Sequence, residues 1–306
     1  MNFVLCTLVP VTNERPVAAR TTKFHVHRVH KVMNNLIYPF ADLSLSRRLE
    51  NTEAHGNVTF IEARANAFPE RSATWVEIAG THAMFDGPDS PVTQTFGLGI
   101  SQPVTHNDLD QIEQFFITRD ADVFHEVSPL ADATTFALLN ERGYQPIEFT
   151  SVMFRPISRD LVLSVAPNQR VKVRVAEERD KAIWADTAFR GWSEFAELSD
   201  FLRDMGKVHA CSQSPSFLAE VNGRAIATGM LTIHDGVALL AGASTIPEAR
   251  RQGAQLALLE TRLRYSAEQG CDIAMMAALP GSASQRNAER HGFRIAYTRI
   301  KWRLSH

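Results

Sequence analysis

The sequence feature that most constrains the fold is one short pattern that occurs in both halves of the chain. Residues 140–144 read Asn-Glu-Arg-Gly-Tyr, and residues 289–293 read Glu-Arg-His-Gly-Phe. In each case a helical pattern ends at the glycine, and an aromatic residue and a strand-like segment follow. The recurrence predicts two copies of one fold, and coincidence stays as the alternative because this pattern is common in proteins.

The length and composition fit a two-domain globular protein. The chain has 306 residues, and domains of about 150 residues each would account for it. Its 32 Lys and Arg against 34 Asp and Glu give a net charge of -2, which argues against a nucleic-acid-binding protein. No apolar run approaches the roughly 20 residues that cross a bilayer, so we expect no membrane partner. The scattered cysteines Cys6, Cys211 and Cys271 fit a reducing cytoplasm.

The chain divides into a leader, two copies and a linker. The leader is basic and contains His25, His27 and His30, and we expect it to be loosely ordered. A metal site there is the alternative, but no paired Cys or carboxylate completes a coordination sphere. We place the leader at 1–36, the first copy at 37–160, the linker at 161–170 and the second copy at 171–306.

Helical and strand-like patterns alternate along both copies, which predicts an α/β fold. A helical pattern covers residues 43–54 near the start of the first copy. Asn222 and Gly223 give a strong hairpin signal in the second copy. An amphipathic helix over 254–268 then precedes a continuous apolar strand over 271–279.

The segment most informative about function, residues 245–255, lies between a buried strand and that amphipathic helix. A helix N-terminus presents unpaired N–H groups and the positive end of the helix dipole, which suits phosphate oxygens. Gly253 lets the backbone approach a ligand, and Arg250 and Arg251 add mobile positive charge. The residues alone leave open a plain connection with solvated arginines. The glycine patterns of nicotinamide and Walker-type sites are absent, which disfavours a nucleotide-binding oxidoreductase.

Residues 247–253, Pro-Glu-Ala-Arg-Arg-Gln-Gly, resemble the acetyl-CoA pyrophosphate loop of the GNAT N-acetyltransferase superfamily, whose motif is Arg/Gln-x-x-Gly-x-Gly/Ala. The strands and helices before and after this loop also follow the family's order. The resemblance therefore covers about residues 171–306. It implies two tandem GNAT-like domains, each with a mixed, mostly antiparallel sheet flanked by helices. It also implies that strands 237–243 and 271–279 splay apart to form a notch for the thioester.

The resemblance further implies acetyl-CoA as the cofactor and a set of residues that contact it. The strand end would pair with the pantetheine arm, the loop and first helical turn would hold the pyrophosphate, and the closing helix would lie beside the arm. These residues are Ser244, Thr245, Ile246, Arg250, Arg251, Gln252, Gly253, Ala254, Gln255, Leu256, Ser284 and Asn287.

Two positions depart from the family's pattern. Gln255 replaces the last Gly or Ala of the motif, and its side chain either crowds the phosphates or donates a hydrogen bond to them. Ala288 stands where many family members have the tyrosine that protonates the departing thiolate, so Ser284 and Tyr297 are the candidate general acids.

The acceptor side has weaker candidates. Glu194 is the candidate general base, although a solvated carboxylate is the simpler interpretation. Trp184, Trp192 and Phe195 form either an apolar acceptor pocket or part of the core, and His209 is expected to be packed or exposed.

The first copy has no comparable loop. Residues 103–108 contain neither glycine nor arginine, and Asp108 and Asp110 would repel a pyrophosphate at the helix end that should attract it. We therefore expect this copy to be degenerate, with a structural role that includes walling the substrate cleft.

The sequence thus predicts an acyltransferase that moves an acetyl group from acetyl-CoA to an amine of a small molecule or peptide. A non-catalytic acyl-CoA-binding or interaction module is the alternative, because Gln255, Ala288 and the missing strand carboxylate all depart from a typical active site. Neither the acceptor nor the oligomeric state follows from the sequence.

Overall fold

A computed structural model describes residues 36–161, 168–194 and 199–305. The helices of these residues are α1 (Leu43–Ala67), α2 (His106–Ile117), α3 (Ala133–Glu141), α4 (Lys181–Gly191), α5 (Ser199–Cys211), α6 (Ala254–Glu268) and α7 (Ala283–Arg290). The strands are β1 (Thr74–Ile78), β2 (Thr81–Phe85), β3 (Gln94–Phe96), β4 (Val123–Val127), β5 (Gln145–Pro156), β6 (Lys172–Val175), β7 (Ser216–Val221), β8 (Arg224–His234), β9 (Val237–Thr245), β10 (Ile273–Ala278) and β11 (Arg294–Leu304).

The strands of both halves form one continuous sheet in the order β1-β2-β3-β4-β11-β5-β10-β9-β8-β7-β6. The halves exchange their last strands, because β5 lies between β10 and β11, and β11 pairs with β4 of the first half. Most neighbours are antiparallel, while β3–β4 and β9–β10 are parallel. The mixed, mostly antiparallel sheet is confirmed, but the two halves of the chain share one sheet instead of each closing its own.

Helices cover both faces of this sheet. Helix α1 is about 37 Å long and crosses one face, where it contacts strands of both halves. Its Leu49 packs on the strands at the centre of the sheet, whereas its Ile61 packs with Met84 and Phe96 of the first half. Helices α4 and α5 lie on the same face as α1. Helix α6 covers the opposite face of the second half, and α2 and α3 cover that of the first.

Several local predictions are confirmed. Asn222 and Gly223 have φ of 52° and 76°, as a tight hairpin turn requires. Gly143 and Gly292 both have φ of 82°, the left-handed conformation that ends a helix. Helix α6 covers the predicted residues, but α1 extends thirteen residues beyond the predicted end at Ala54, and α5 was not predicted at all.

Some predictions lie outside the described residues. These are the leader with His25, His27 and His30, most of the linker, and Phe195. Within the described part of the chain, no group of three or more His, Cys, Asp or Glu side chains is arranged to hold a metal ion. The helices that the structure describes include none with the length and apolar character needed to cross a bilayer.

Candidate functional site

Strands β9 and β10 diverge part of the way along their length. They pair in parallel through residues 237–239 and 273–275, and beyond these residues their described backbones separate. The register of β9 against β8 shifts beside Gly242, which has φ of 59°. The buried Arg262 of α6 donates to the carbonyls of Met230 and Ala241 at 3.1 Å each, which supports the irregular backbone. The predicted splay is present.

The loop after β9 leads to a helix whose N-cap residue is a glycine. A short 3-10 turn at Pro247–Ala249 is followed by Arg251 and Gly253, with φ of 65° and 83°. Gly253 is the N-cap residue of α6, and among the described residues no side chain caps the first N–H groups of this helix. By contrast, Thr105 and Asp108 close the N-terminus of α2 with a reciprocal capping box.

Ion pairs connect the loop to the end of α4 and the turn that follows. Arg250 Nη1 lies 2.7 Å from Glu194 Oε1, and Arg190 Nη2 lies 3.0 Å from Glu248 Oε1. The guanidinium of Arg250, predicted to add mobile charge to the loop, is thus paired with an exposed carboxylate. Gln255 Nε2 donates to Thr245 Oγ1 at 2.8 Å, so the side chain ties the helix to the strand end.

The backbone N–H and C=O groups at the end of β9 point to both sides of the strand in turn. Ile246 donates its N–H to the carbonyl of Ile226 at 3.0 Å, and Ser244 is in register with Thr228 of β8. Because N–H and C=O groups alternate sides along a strand, those of Thr245 point to the edge opened by the splay. Of the three residues predicted to pair with an extended ligand, Thr245 has its backbone on the appropriate side. The Ile246 N–H is already bonded within the sheet.

The predicted catalytic residues lie apart from one another. Glu194 is partly exposed and engaged by Arg250. Tyr297 is buried on the α1 face, where burial and the neighbouring Glu50 raise its pKa and its hydroxyl donates to Glu50 at 2.8 Å. Ser284 is a buried position of α7, which directly follows β10, and Asn287 is exposed on the same helix.

The remaining candidates are mostly structural. Trp184 and Trp192 are core residues beside Leu218, so they do not form an open acceptor pocket. His209 is packed against Trp184, with ring centroids 4.1 Å apart.

A buried charge cluster under α1 was missed by the sequence analysis. Arg299 of β11 contacts Glu50 and Glu53 of α1 and Glu126 of β4, all within 3.3 Å. Lys301 lies 3.8 Å from Glu126. Its signal in the sequence was two cations, Arg299 and Lys301, at alternate positions of a strand-like segment, where they share one face of the strand.

A cavity of about 60 Å³ joins this cluster to the splay. One stripe of α1 (Glu53, Gly56, Asn57 and Phe60) lines it, together with residues of β3, β4, β8, β9 and α5. Gly56 allows α1 to approach β8 closely, since a Cβ there would lie 3.1 Å from Thr232 Oγ1. The cavity reaches Ala241 and Gly242 at the irregular part of β9.

Splayed parallel strands, a helix N-terminus that begins at a glycine and an adjoining cavity together form the candidate site of this α/β protein. Comparison with known proteins specifies the class. Residues 181–293 match the model of the Acetyltransferase (GNAT) family. The second half therefore contains a GNAT-family domain, as the loop motif suggested.

Two of the following three solved structures, those with TM-scores above 0.5, support the fold. A GCN5-related N-acetyltransferase from Kribbella flavida is 18% identical with a TM-score of 0.55, and the match covers 80% of this chain and 94% of that chain. A functionally unknown protein from Staphylococcus epidermidis is 11% identical with a TM-score of 0.53, covering 77% and 96%. A tandem GNAT protein from the clavulanic acid biosynthesis pathway is 12% identical with a TM-score of 0.49, covering 73% and 78%. No curated protein matches the sequence.

Proposed function

We propose that the protein is an N-acetyltransferase that binds acetyl-CoA in its second half and transfers the acetyl group to an amine. The observation that supports this most strongly is the N-terminus of α6. No side chain in the described part of the chain caps its first N–H groups, and it lies at the end of the strand that splays from β10. A diphosphate satisfies both the free amides and the positive end of the helix dipole.

The residues present fit the cofactor. The amides of 252–256 would hold the pyrophosphate, and the Thr245 backbone would pair with the pantetheine arm along the open edge. The side chain of Gln255 does not cover these amides, since its own amide group donates a hydrogen bond to Thr245. When bound, acetyl-CoA supplies an activated thioester: the C–N bond of the amide forms as the C–S bond breaks, and the amine's proton balances the charge on the sulfur.

The chain's own task is to position the amine and move protons. A lysine-like amine has a pKa near 10.4 and must lose a proton before it attacks. Ser284 is the better placed of the two candidate acids, because it lies on the helix after β10 while Tyr297 donates to Glu50. Glu194 can act as base only if its exposed ion pair with Arg250 opens, which costs about 0–1 kcal/mol.

Calorimetric titration with acetyl-CoA tests the cofactor site. Gly253→Glu should abolish binding, because it places a carboxylate at the amides that would hold the pyrophosphate. The matched control is Gly143→Glu, which imposes the same side chain on a similar φ of 82° with open space around it. Loss of affinity in the first variant alone, with both proteins folded, supports the site. An unchanged dissociation constant in Gly253→Glu would refute it.

The first half is expected not to bind the cofactor. Asp108 accepts hydrogen bonds from the Thr105 N–H and hydroxyl, so the corresponding helix end is already closed. Asp108→Ala should leave the affinity for acetyl-CoA unchanged. A binding module without catalysis remains a second candidate, favoured by the buried Ala288 in place of the family's tyrosine. Binding without turnover of any amine in a panel would select the module.

A further inference from the structure

The charged wall of the cavity beside the splay is already engaged by the chain itself. Glu53 of α1 and Glu126 of β4 line the cavity, and both accept hydrogen bonds from Arg299. Both carboxylate oxygens of Glu53 are used in this way, at 3.0 and 3.1 Å. Gln94 of the same wall accepts a hydrogen bond from the buried Lys301. A charged ligand would have to displace these partners, so the wall favours an uncharged occupant.

Much of the remaining cavity surface is apolar and comes from both halves. Phe96 belongs to β3 of the first half, and Phe60 to α1. Met205 of α5, Met230 of β8 and Leu239 of β9 complete this surface. Apolar groups that lie against such side chains are stabilised in proportion to the area they remove from water. The first half thus contributes to recognition, although its own helix end is closed.

A polar cleft of about 240 Å³ meets the cavity at the end of α5. His209 and Ser214 line both the cleft and the cavity. Ser216, which also lines the cleft, is in register with Met230 of β8, and Met230 is in register with Ala241 of β9. The cleft therefore meets the cavity near the irregular part of β9, next to the notch proposed for the thioester.

His209 has an unsatisfied polar atom at this junction. The residue is 5% exposed, and its Nδ1 has no hydrogen-bond partner among the described residues. Burial lowers its pKa to about 4, so the ring is neutral at neutral pH. A neutral imidazole has one nitrogen that accepts, and Nδ1 is that nitrogen when Nε2 carries the proton. Buried polar atoms without a partner are rare in folded proteins, which points to a ligand here.

We propose that this cavity binds the acceptor as a monoamine, with its uncharged apolar body against Phe60, Phe96 and Leu239 and its amine at the β9 irregularity beside His209. The acceptor class is a primary amine whose only ionisable group is the amine, on an alkyl or aryl body. His209 Nδ1 accepts a hydrogen bond from the amine N–H. This inference rests on the proposed transferase function, since it assigns the Ala241 end of the cavity to the thioester.

Calorimetry on the CoA-saturated protein tests the inference without requiring turnover. It is done at about pH 9, where a larger fraction of each amine is neutral. The probes are linear primary amines of two to seven carbons, each matched with the terminal diamine of equal length. Affinity should rise about fourfold with each added methylene until the cavity is filled. At the length that binds best, the diamine should bind about tenfold more weakly, because its second ammonium group would be buried without a partner.

Three results would overturn the proposal while leaving the cofactor site intact. These are absence of amine binding to the CoA complex, an affinity that does not depend on chain length, and a diamine that binds as tightly as its monoamine. Failure to bind CoA would instead overturn the proposed function.

A matched pair of variants in β9 locates the apolar body. Leu239→Ala enlarges the cavity, so the length that binds best should increase by about one or two carbons, with unchanged affinity for CoA. Leu240→Ala is the control, because Leu240 is equally buried in the same strand but packs in the core beneath α6. It should leave the length dependence unaltered. If Leu239→Ala does not fold, Met205→Ala on the α5 wall decides. A length dependence unchanged in the folded cavity variant would contradict the assignment.

A second pair of variants tests the contact between the amine and His209. His209→Phe should weaken binding about three- to tenfold at every chain length, since it removes one hydrogen bond and leaves the apolar contacts in place. The control is His291→Phe, because His291 is also buried with an unpartnered Nδ1 but does not line the cavity. Equal affinities in His209→Phe and the unaltered protein would place the amine elsewhere and contradict the proposal.

Discussion

Burial lowers the pKa of His125 in the first half and of His209 in the second. His125 lies between Thr95 Oγ1 at 2.7 Å and the Tyr144 hydroxyl at 3.0 Å, and burial lowers its pKa to about 3. His209 packs on Trp184, and burial, followed by the charge of Lys181, lowers its pKa to about 4. Both imidazoles thus stay neutral in the folded protein well below pH 6.5, whereas in the unfolded chain they take up protons.

We therefore expect the free energy of unfolding to fall as the pH drops below about 6.5. Between pH 6.5 and each folded-state pKa the unfolded state binds more protons, so each histidine contributes a slope of about 1.4 kcal/mol per pH unit. Urea unfolding at pH 7.5, 6 and 5 measures this slope. His125→Gln should reduce it by one histidine's share, whereas the same change at the exposed His106 should leave it unaltered. A slope unchanged by His125→Gln would contradict the prediction.

At the scale of elements, the end of α4 packs directly on the end of β9. A Cβ on Gly191 would lie 2.4 Å from Ser244 Oγ and 3.1 Å from the Thr245 nitrogen. This contact, together with the two ion pairs beside it, sets the distance between the helix and the strand edge proposed for the pantetheine arm. The close packing of α4 on β9 therefore requires glycine at position 191.

Gly191→Ala should lower the free energy of unfolding by about 1–3 kcal/mol, because the inserted methyl group overlaps a buried strand. It should also weaken binding of acetyl-CoA by displacing Thr245. Denaturant unfolding and calorimetry measure the two effects. Ser244→Gly in the same chain removes the closest contact and should recover part of both losses. If Gly191→Ala alone were as stable as the unaltered protein, α4 would not lie against β9 as described.

The sequence predicted elements with strong local signals and missed those that depend on distant contacts. Gly253 and α6 were placed correctly, because the glycine and the apolar periodicity belong to the segment itself. Helix α5 has buried residues at Leu202, Met205 and Val208, a helical spacing that could have revealed it. By contrast, Glu53 and Glu126 are far apart in sequence and meet only through Arg299 of the other half. No local pattern could have joined them.

At the scale of the whole molecule, the exchange of last strands makes each half part of the other's core. Met153 of β5 is fully buried in the cluster beneath α6, although it belongs to the first half of the chain. In return, Trp302 of β11 packs with the core of α2 and α3. Neither half can complete its sheet without a strand from the other, so we expect the two halves to unfold as one unit.

Met153→Ala and Leu139→Ala test this cooperativity, since they remove buried side chains from the cores of the second and first halves. Each should lower the free energy of unfolding by about 2–5 kcal/mol. Each should also shift a single transition in which tryptophan fluorescence and far-ultraviolet circular dichroism coincide. If the halves were independent, Leu139→Ala would divide the unfolding curve into two transitions. The fluorescence of Trp184 and Trp192 would then keep its original midpoint. A coincident shift in both variants means that a substitution in the first half destabilises the proposed acetyl-CoA site through the shared sheet and α1, without touching the loop at Gly253.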